Sequence, residues 1–358
     1  MTARERMAAA MRHERPDRVP VMCQLAIGHY FLQSGFAPAD IWHDSAVFAD
    51  ALLRMQERYS FDGILINLPG REPHWRSLHP AVAVPPDDLP ITTAVRPAFA
   101  DVIPEDLYYV EPYDLPGLAI VRSFPAWQIA ALDHLRERAP DVSLHSEVFS
   151  PFTQLLELFG YAEALMALLD DPARAKACLH ALCRGTTDLM MLHAARGADA
   201  ILISSAFAGA GFISRDHYRE FVLPFEQAVI TCFRNLFREV PVYTHTCGAI
   251  GDRLDLMAAT GTNGIDTLDP PPLGTADLGE AIRSLGGRLF LKGNIDPVNT
   301  MLNGTPDDVY QAATERLEIA RDTYGYILST SCSVAPGTRP ENIMQLARAA
   351  EASGRYHE

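Results

Sequence analysis

The chain has 358 residues, 30 Lys and Arg against 45 Asp and Glu, a formal net charge of −15, and 48% apolar residues. That length suits one large α/β barrel or two ordinary domains, and the apolar content argues against bulk disorder. A pI near 5.2 with no basic stripe would repel a phosphate backbone or an anionic membrane surface, so nucleic acid and membrane are not the expected partners. The charged start MTARERMAAAMRHERPDR lacks the apolar stretch of a signal peptide, and no window of about 18 apolar residues follows. The expected location is therefore the cytoplasm, where Cys23, Cys178, Cys183, Cys232, Cys247 and Cys332 would remain thiols.

Short β-branched runs alternate with longer stretches of helical period, the rhythm of βα units around a parallel sheet. Eight strands are expected, at Val19–Gln24, Gly63–Asn67, Val142–Phe149, Ala200–Ser205, Pro241–Cys247, Gly264–Leu268, Arg288–Lys292 and Tyr326–Ser331. Eight is the number that closes a (β/α)8 TIM barrel. Helices are expected over Ala162–Ala195, Arg215–Phe237, Ile250–Thr260, Asp277–Ser284 and Pro306–Thr323, the first broken at Asp170–Pro172 because the residue before a proline disfavours the helical region. The interval Leu68–Asp141 is too long for a βα connection and carries strand-like runs at Ala81–Pro85, Ile91–Val95 and Tyr108–Glu111. It reads as an insertion after the second strand, lying over the C-terminal mouth of a single domain that spans residues 1–358.

The chemistry concentrates in PVYTHTCGAIGD, where His245 and Cys247 lie at i and i+2 on one strand and so face the same way. Cys332 ends the last strand in the same relation to the barrel, and strands five and eight both deliver to the rim where barrel enzymes keep their chemistry. Two thiolates and an imidazole leave one tetrahedral position open, the pattern of a catalytic zinc. Against this stands the ordinary reading of buried cysteines and strand histidines as packing. Cys178, Cys183, Cys23 and Cys232 are all read as packing residues.

In motif order the chain resembles the uroporphyrinogen decarboxylase superfamily, through ERMAAAMRHERPDRVPV, EVFSPFTQLLELFG, FISRDHYREFVLP, THTCG, LKGNIDP and PGTRPENI. Within it the chain looks most like the corrinoid-linked, zinc-dependent methyltransferases, marked by a His-x-Cys pair and a distant third Cys. His245, Cys247 and Cys332 match those positions. The decarboxylases carry substrate-binding arginines near the N-terminus and an essential Asp soon after the second strand. Here those stretches read VMCQLAIGHYF and ILINLPG, with Asn67 near the expected acid.

The resemblance implies a methyl group moved between a small thiol, methoxylated or N-methylated compound and a cobalamin or other corrinoid, the corrinoid carried on a partner protein, with zinc as Lewis acid. A homodimer is a further expected assembly. The alternative is a metal-independent decarboxylase of the same fold acting on a small acid. Glu147, in phase with His145 on the third strand, is preferred as a fourth ligand or proton carrier, because a carboxylate suits both tasks. Ser204 and Ser205 stand where relatives often have an acid. Tyr243, Asn294 and Asn67 are candidate substrate contacts, with Asp296 expected in an Asx-type turn. His29, Tyr30, His74 and Trp75 are weighed as recognition or packing, and Arg339 as an anion contact or a partner of Glu341.

Overall fold

A computed structural model describes residues 1–67 and 129–356. It contains seven parallel strands paired in chain order: β1 Gly63–Ile66, β2 Ser143–Phe149, β3 Ala200–Ser204, β4 Val242–His245, β5 Gly264–Thr267, β6 Phe290–Ile295 and β7 Tyr326–Thr330. Nearly every strand residue is buried, because helices cover the outside while side chains fill the inside. This is why the strands read as unbroken apolar runs. The fold is α/β and TIM-barrel-like.

The expected first strand, Val19–Gln24, is reduced to one isolated parallel bridge, Val21 with Leu328, with a second just past its end, Leu25 with Val334. Pro20 cannot donate to a ladder, and the Val21 amide is taken instead by the Asp62 carboxylate at 2.7 Å. The segment still joins its neighbours. Leu328 donates to the Pro20 carbonyl, Met22 donates to Leu328, and Asp62 donates to the Val21 carbonyl. Buried Asp62 also accepts from Arg6 and Arg18, tying the segment to β1 where an eighth strand would stand.

The helices refine the expected boundaries. The break at Asp170–Pro172 is present, separating Tyr161–Asp170 from Pro172–Ala195, with Asp171 capping the second by accepting from the Arg174 amide. Arg215–Phe237 divides into Arg215–Phe221 and Leu223–Leu236, with Pro224 in the first turn of the second helix. The Ile250–Thr260 helix shortens to Leu254–Ala259. Asp277 caps Leu278–Leu285. A Thr305–Asp308 capping box starts Pro306–Ile319. Helices Ala3–Met11 and Pro340–Ser353 add to the expected set. Among the described residues no single helix is long and apolar enough to cross a membrane.

The interior is stratified. At the bottom, Met7, Ala10 and Met11 of the first helix pack against Met22, Leu65, Ala200, Leu202, Tyr243, Phe290 and Ile327. Two residues further along each strand, strand alternation returns the side chain to the same face, and the residues become Gln24, Asn67, Glu147, Ser204, His245, Asp266, Lys292 and Ser329. An apolar floor thus supports a polar layer, and the polar layer lies towards the C-terminal ends of the strands. The strand-like runs expected at Ala81–Pro85, Ile91–Val95 and Tyr108–Glu111 lie outside the described residues.

Candidate metal centre

β4 ends at His245, and the chain leaves it through Thr246, Cys247 and a left-handed Gly248 at φ +79°. His245 Nε2 lies 3.3 Å from Cys247 Sγ, which lies 3.6 Å from Cys332 Sγ beyond the end of β7. Among the described residues these three form the one group of His, Cys, Asp or Glu whose ligand atoms all fall within 4.8 Å of one another. Residues separated by 85 positions are thus gathered at the rim.

The register explains how His245 is aimed. In the parallel ladder His245 stands opposite Asp266, and Asp266 opposite Lys292, so three interior side chains lie side by side on β4, β5 and β6. Asp266 Oδ2 is 3.2 Å from His245 Nδ1, and Lys292 Nζ donates to Asp266 Oδ1 at 2.9 Å. With Nδ1 engaged by a carboxylate, Nε2 is left facing the thiols, the arrangement that orients histidine ligands on metals. One imidazole nitrogen and two sulfurs are donors that zinc accepts in catalytic sites, so the residues fit that ion.

Burial and partners set the charges around the trio. Burial acts to raise the Asp266 carboxyl, but Lys292 and His245 outweigh it and hold it at about 2. Burial acts to lower His245, yet the Cys247 sulfur and Asp266 hold it well above its usual range. Hydrogen bonding from Cys247 pushes Cys332 down, with His245 contributing, so the thiol pair favours one thiolate. Glu147 is buried, which raises its carboxyl, while His245 and a Ser204 hydrogen bond oppose that rise.

The other residues singled out in the sequence occupy varied positions. Glu147 feels the charges of His245 and Cys332 but is not part of the close trio. His145 lies below it, locked between the Ser143 and Tyr243 hydroxyls at 3.0 and 2.8 Å. Tyr243 is fully buried in the floor. Asn294 donates to the Leu268 carbonyl at 2.9 Å. Asp296 accepts from the Val298 and Asn299 amides at 2.8 Å, the expected Asx-type role. Asn67 follows β1, and its Oδ1, like Gln24 Oε1, is buried with no hydrogen-bond partner among the described residues.

His29 and Tyr30 are buried on the helix Ile27–Gln33 rather than on an early loop, and His29 meets the Tyr59 hydroxyl at 2.7 Å. His74 and Trp75 lie outside the described residues. Arg339 donates to the Gly304 carbonyl at 2.7 Å. Cys23 and Cys178 are core residues, but Cys232 is exposed, because it occupies the solvent face of Leu223–Leu236 while Val229, Ile230 and Phe233 take the inner face. Asp266, Asp269 and Lys292 were missed in the sequence. Their one signal was a charge inside an otherwise apolar strand or at its end.

Residues 88–353 match the family described as uroporphyrinogen decarboxylase (URO-D). The chain belongs to that family. Similar relatives include uroporphyrinogen decarboxylase of Alkalilimnicola ehrlichii, 31% identical over 276 residues, covering 68% of this chain and 72% of that protein. The methylated-thiol–coenzyme M methyltransferase of Methanosarcina mazei is 29% identical over 274 residues, 74% of this chain and 65% of that protein. Uroporphyrinogen decarboxylase of Pelodictyon phaeoclathratiforme is 30% identical over 233 residues, 62% of this chain. The chain spans 63% of the length of the Pelodictyon protein and 65% of the methanogen's, less than two thirds in each case. A solved methyltransferase from Methanosarcina mazei shares the fold, with a TM-score of 0.76 at 20% identity over 98% of this chain and 99% of that one.

Proposed function

We propose that this protein is a zinc-dependent methyltransferase that moves a methyl group between a small substrate and a corrinoid carried by a separate protein. The observation that carries the reading is the convergence of His245, Cys247 and Cys332 at the rim, with ligand atoms within 4.8 Å. Similarity to the methylated-thiol–coenzyme M methyltransferase supports it. Asn67, where the decarboxylase pattern places an acid, also favours it over decarboxylation. A setting in which all six cysteines are free thiols suits the cytoplasm.

His245 Nε2 and the Cys247 and Cys332 sulfurs would hold the metal, with Asp266 keeping the imidazole turned towards it. Zinc bound there supplies a Lewis acid that makes a thiol or hydroxyl nucleophilic near neutral pH. Glu147, raised by burial, is placed to hold or hand on the proton that such a group exchanges. Asn67 and Asn294 remain the proposed substrate contacts near the rim, while Tyr243, in the floor, would act only through His145.

The test is the corrinoid spectrum. Purified protein should carry about one zinc per chain. With an accepted thiol, methoxylated or N-methylated compound, it should change the absorbance of methylcobalamin or cob(I)alamin, and Cys332→Ala should lose both properties. The relatives named uroporphyrinogen decarboxylase favour a second reading, in which a small acid loses carbon dioxide without metal. Carbon dioxide release undiminished by removing zinc, beside an unchanging corrinoid spectrum, would overturn the methyltransferase reading.

A further inference from the structure

β5 and the two residues after it supply no ligand, yet their side chains meet His245 and the residues that flank Cys247 and Cys332. Asp266 meets His245 Nδ1 at 3.2 Å, and the Thr267 hydroxyl accepts from the Thr246 amide at 3.2 Å. Asp269, only 4% exposed, accepts from the Gly248 amide at 2.6 Å with one oxygen and from the Ser331 hydroxyl with the other. Gly248 follows Cys247, and Ser331 precedes Cys332. One carboxylate therefore joins the two segments that carry the thiols.

The backbone is shaped for this. In an extended strand, residues three apart point to opposite faces. Thr267 and Leu268 instead adopt φ +84° and +57°, the left-handed region that a β-branched residue rarely enters. Those two residues turn the chain so that Asp266 and Asp269 both reach the rim. Neighbouring elements hold the turn: Asn294 donates to the Leu268 carbonyl, and a Cβ at Gly293 would come within 2.5 Å of the Thr267 carbonyl oxygen. A Cβ at Gly274 would come within 2.4 Å of the Asp269 carbonyl oxygen and 2.6 Å of the Gly248 one, so the joint is closed from outside as well. Unfavourable backbone geometry that its surroundings over-determine is a mark of a functional segment.

We infer that the β5 turn is the template of the metal centre, and that Asp269 is a positioning residue that sets the separation of the Cys247 and Cys332 thiols. The inference rests on the zinc reading of the trio.

The measurement is zinc affinity, read by competition with a chromophoric chelator. The absorption of the cobalt-substituted protein accompanies it, since its thiolate-to-metal band reports how the sulfurs are held. Asp269→Ala should weaken zinc about 10–100-fold and diminish the cobalt band while circular dichroism stays unchanged. Asp269→Asn, which keeps one acceptor oxygen, should recover part of both. Ser331→Ala should weaken zinc less, and the double variant should be no worse than Asp269→Ala, because both changes open the same joint. Wild-type affinity and an unaltered cobalt band in Asp269→Ala, or losses that add in the double variant, would overturn the inference. If Asp269→Ala does not fold, Ser331→Ala decides: weakened zinc with the fold intact supports the joint, and wild-type zinc and cobalt behaviour overturns it. A wild type that takes up no zinc overturns the proposed function as well, whereas zinc-bound wild type beside an indifferent Asp269→Ala overturns this inference alone.

Discussion

Two buried carboxylates in different layers of the molecule show what partners do to a charge. Asp266, inside the barrel, is 2% exposed and lies between Lys292 and His245. Glu226, on the helix Leu223–Leu236 outside the sheet, is 1% exposed and receives the Ser205 hydroxyl, with the buried Tyr218 hydroxyl beside it. Burial is equal, but Asp266 is held at about 2 whereas burial pushes Glu226 up to about 7. Cations, not depth, decide whether these two interior acids stay ionised, and the ionised one is the one that meets His245.

Removing the cation is the strongest way to break this contrast. Lys292→Met should cost about 3–5 kcal/mol in urea unfolding, because it leaves Asp266 buried without its counter-charge. Adding Asp266→Leu should restore much of that loss, and a single variant as stable as wild type would refute the pairing.

The Glu226 side of the contrast can be sharpened with pH. A carboxyl near 7 in the fold and near 4.5 in the unfolded chain binds more protons when folded, so its contribution falls as pH rises across that window and levels off above it. The loss is roughly 3 kcal/mol at most. Glu226→Gln should flatten that part of the profile, measured as urea midpoints at pH 5 and pH 8. An identical slope in the variant would assign the titration elsewhere.

Asp266→Asn should weaken zinc about 10–100-fold, through His245, while Glu226→Gln leaves zinc affinity unchanged. The smallest effect is expected from the uncharged amides across the mouth. Gln24→Ala and Asn67→Ala should each raise KM severalfold, roughly 1 kcal/mol, with zinc content intact, since their buried oxygens have no partner among the described residues.

The sequence made some of this readable and concealed the rest for physical reasons. Parallel strands covered on both sides are continuous apolar runs, so six of the seven named strands fall within expected segments, and Phe290–Ile295 starts inside Arg288–Lys292 but runs three residues beyond it. Val19–Gln24 fell short because Pro20 interrupts the ladder. His245 and Cys247 were legible because period-two spacing puts them on one face, and Cys332 because it ends a strand. Asp266 and Lys292 were not, since a lone charge in an apolar strand carries no mark of the neighbour that neutralises it. Asp269 was concealed further, because Thr267 and Leu268 are residues from which a left-handed turn is least expected. Cys232 was assigned to the core because an apolar helix does not announce which of its sides meets water.

Met7, Ala10 and Met11 stop the lower end of the barrel. Among the described residues that closes the lower end, so the interior faces outward through the rim. Under the proposed reaction, a small substrate and a bulky corrinoid carrier cannot use opposite doors. Both would then approach the trio from the same rim, so the order in which they bind becomes part of the reaction.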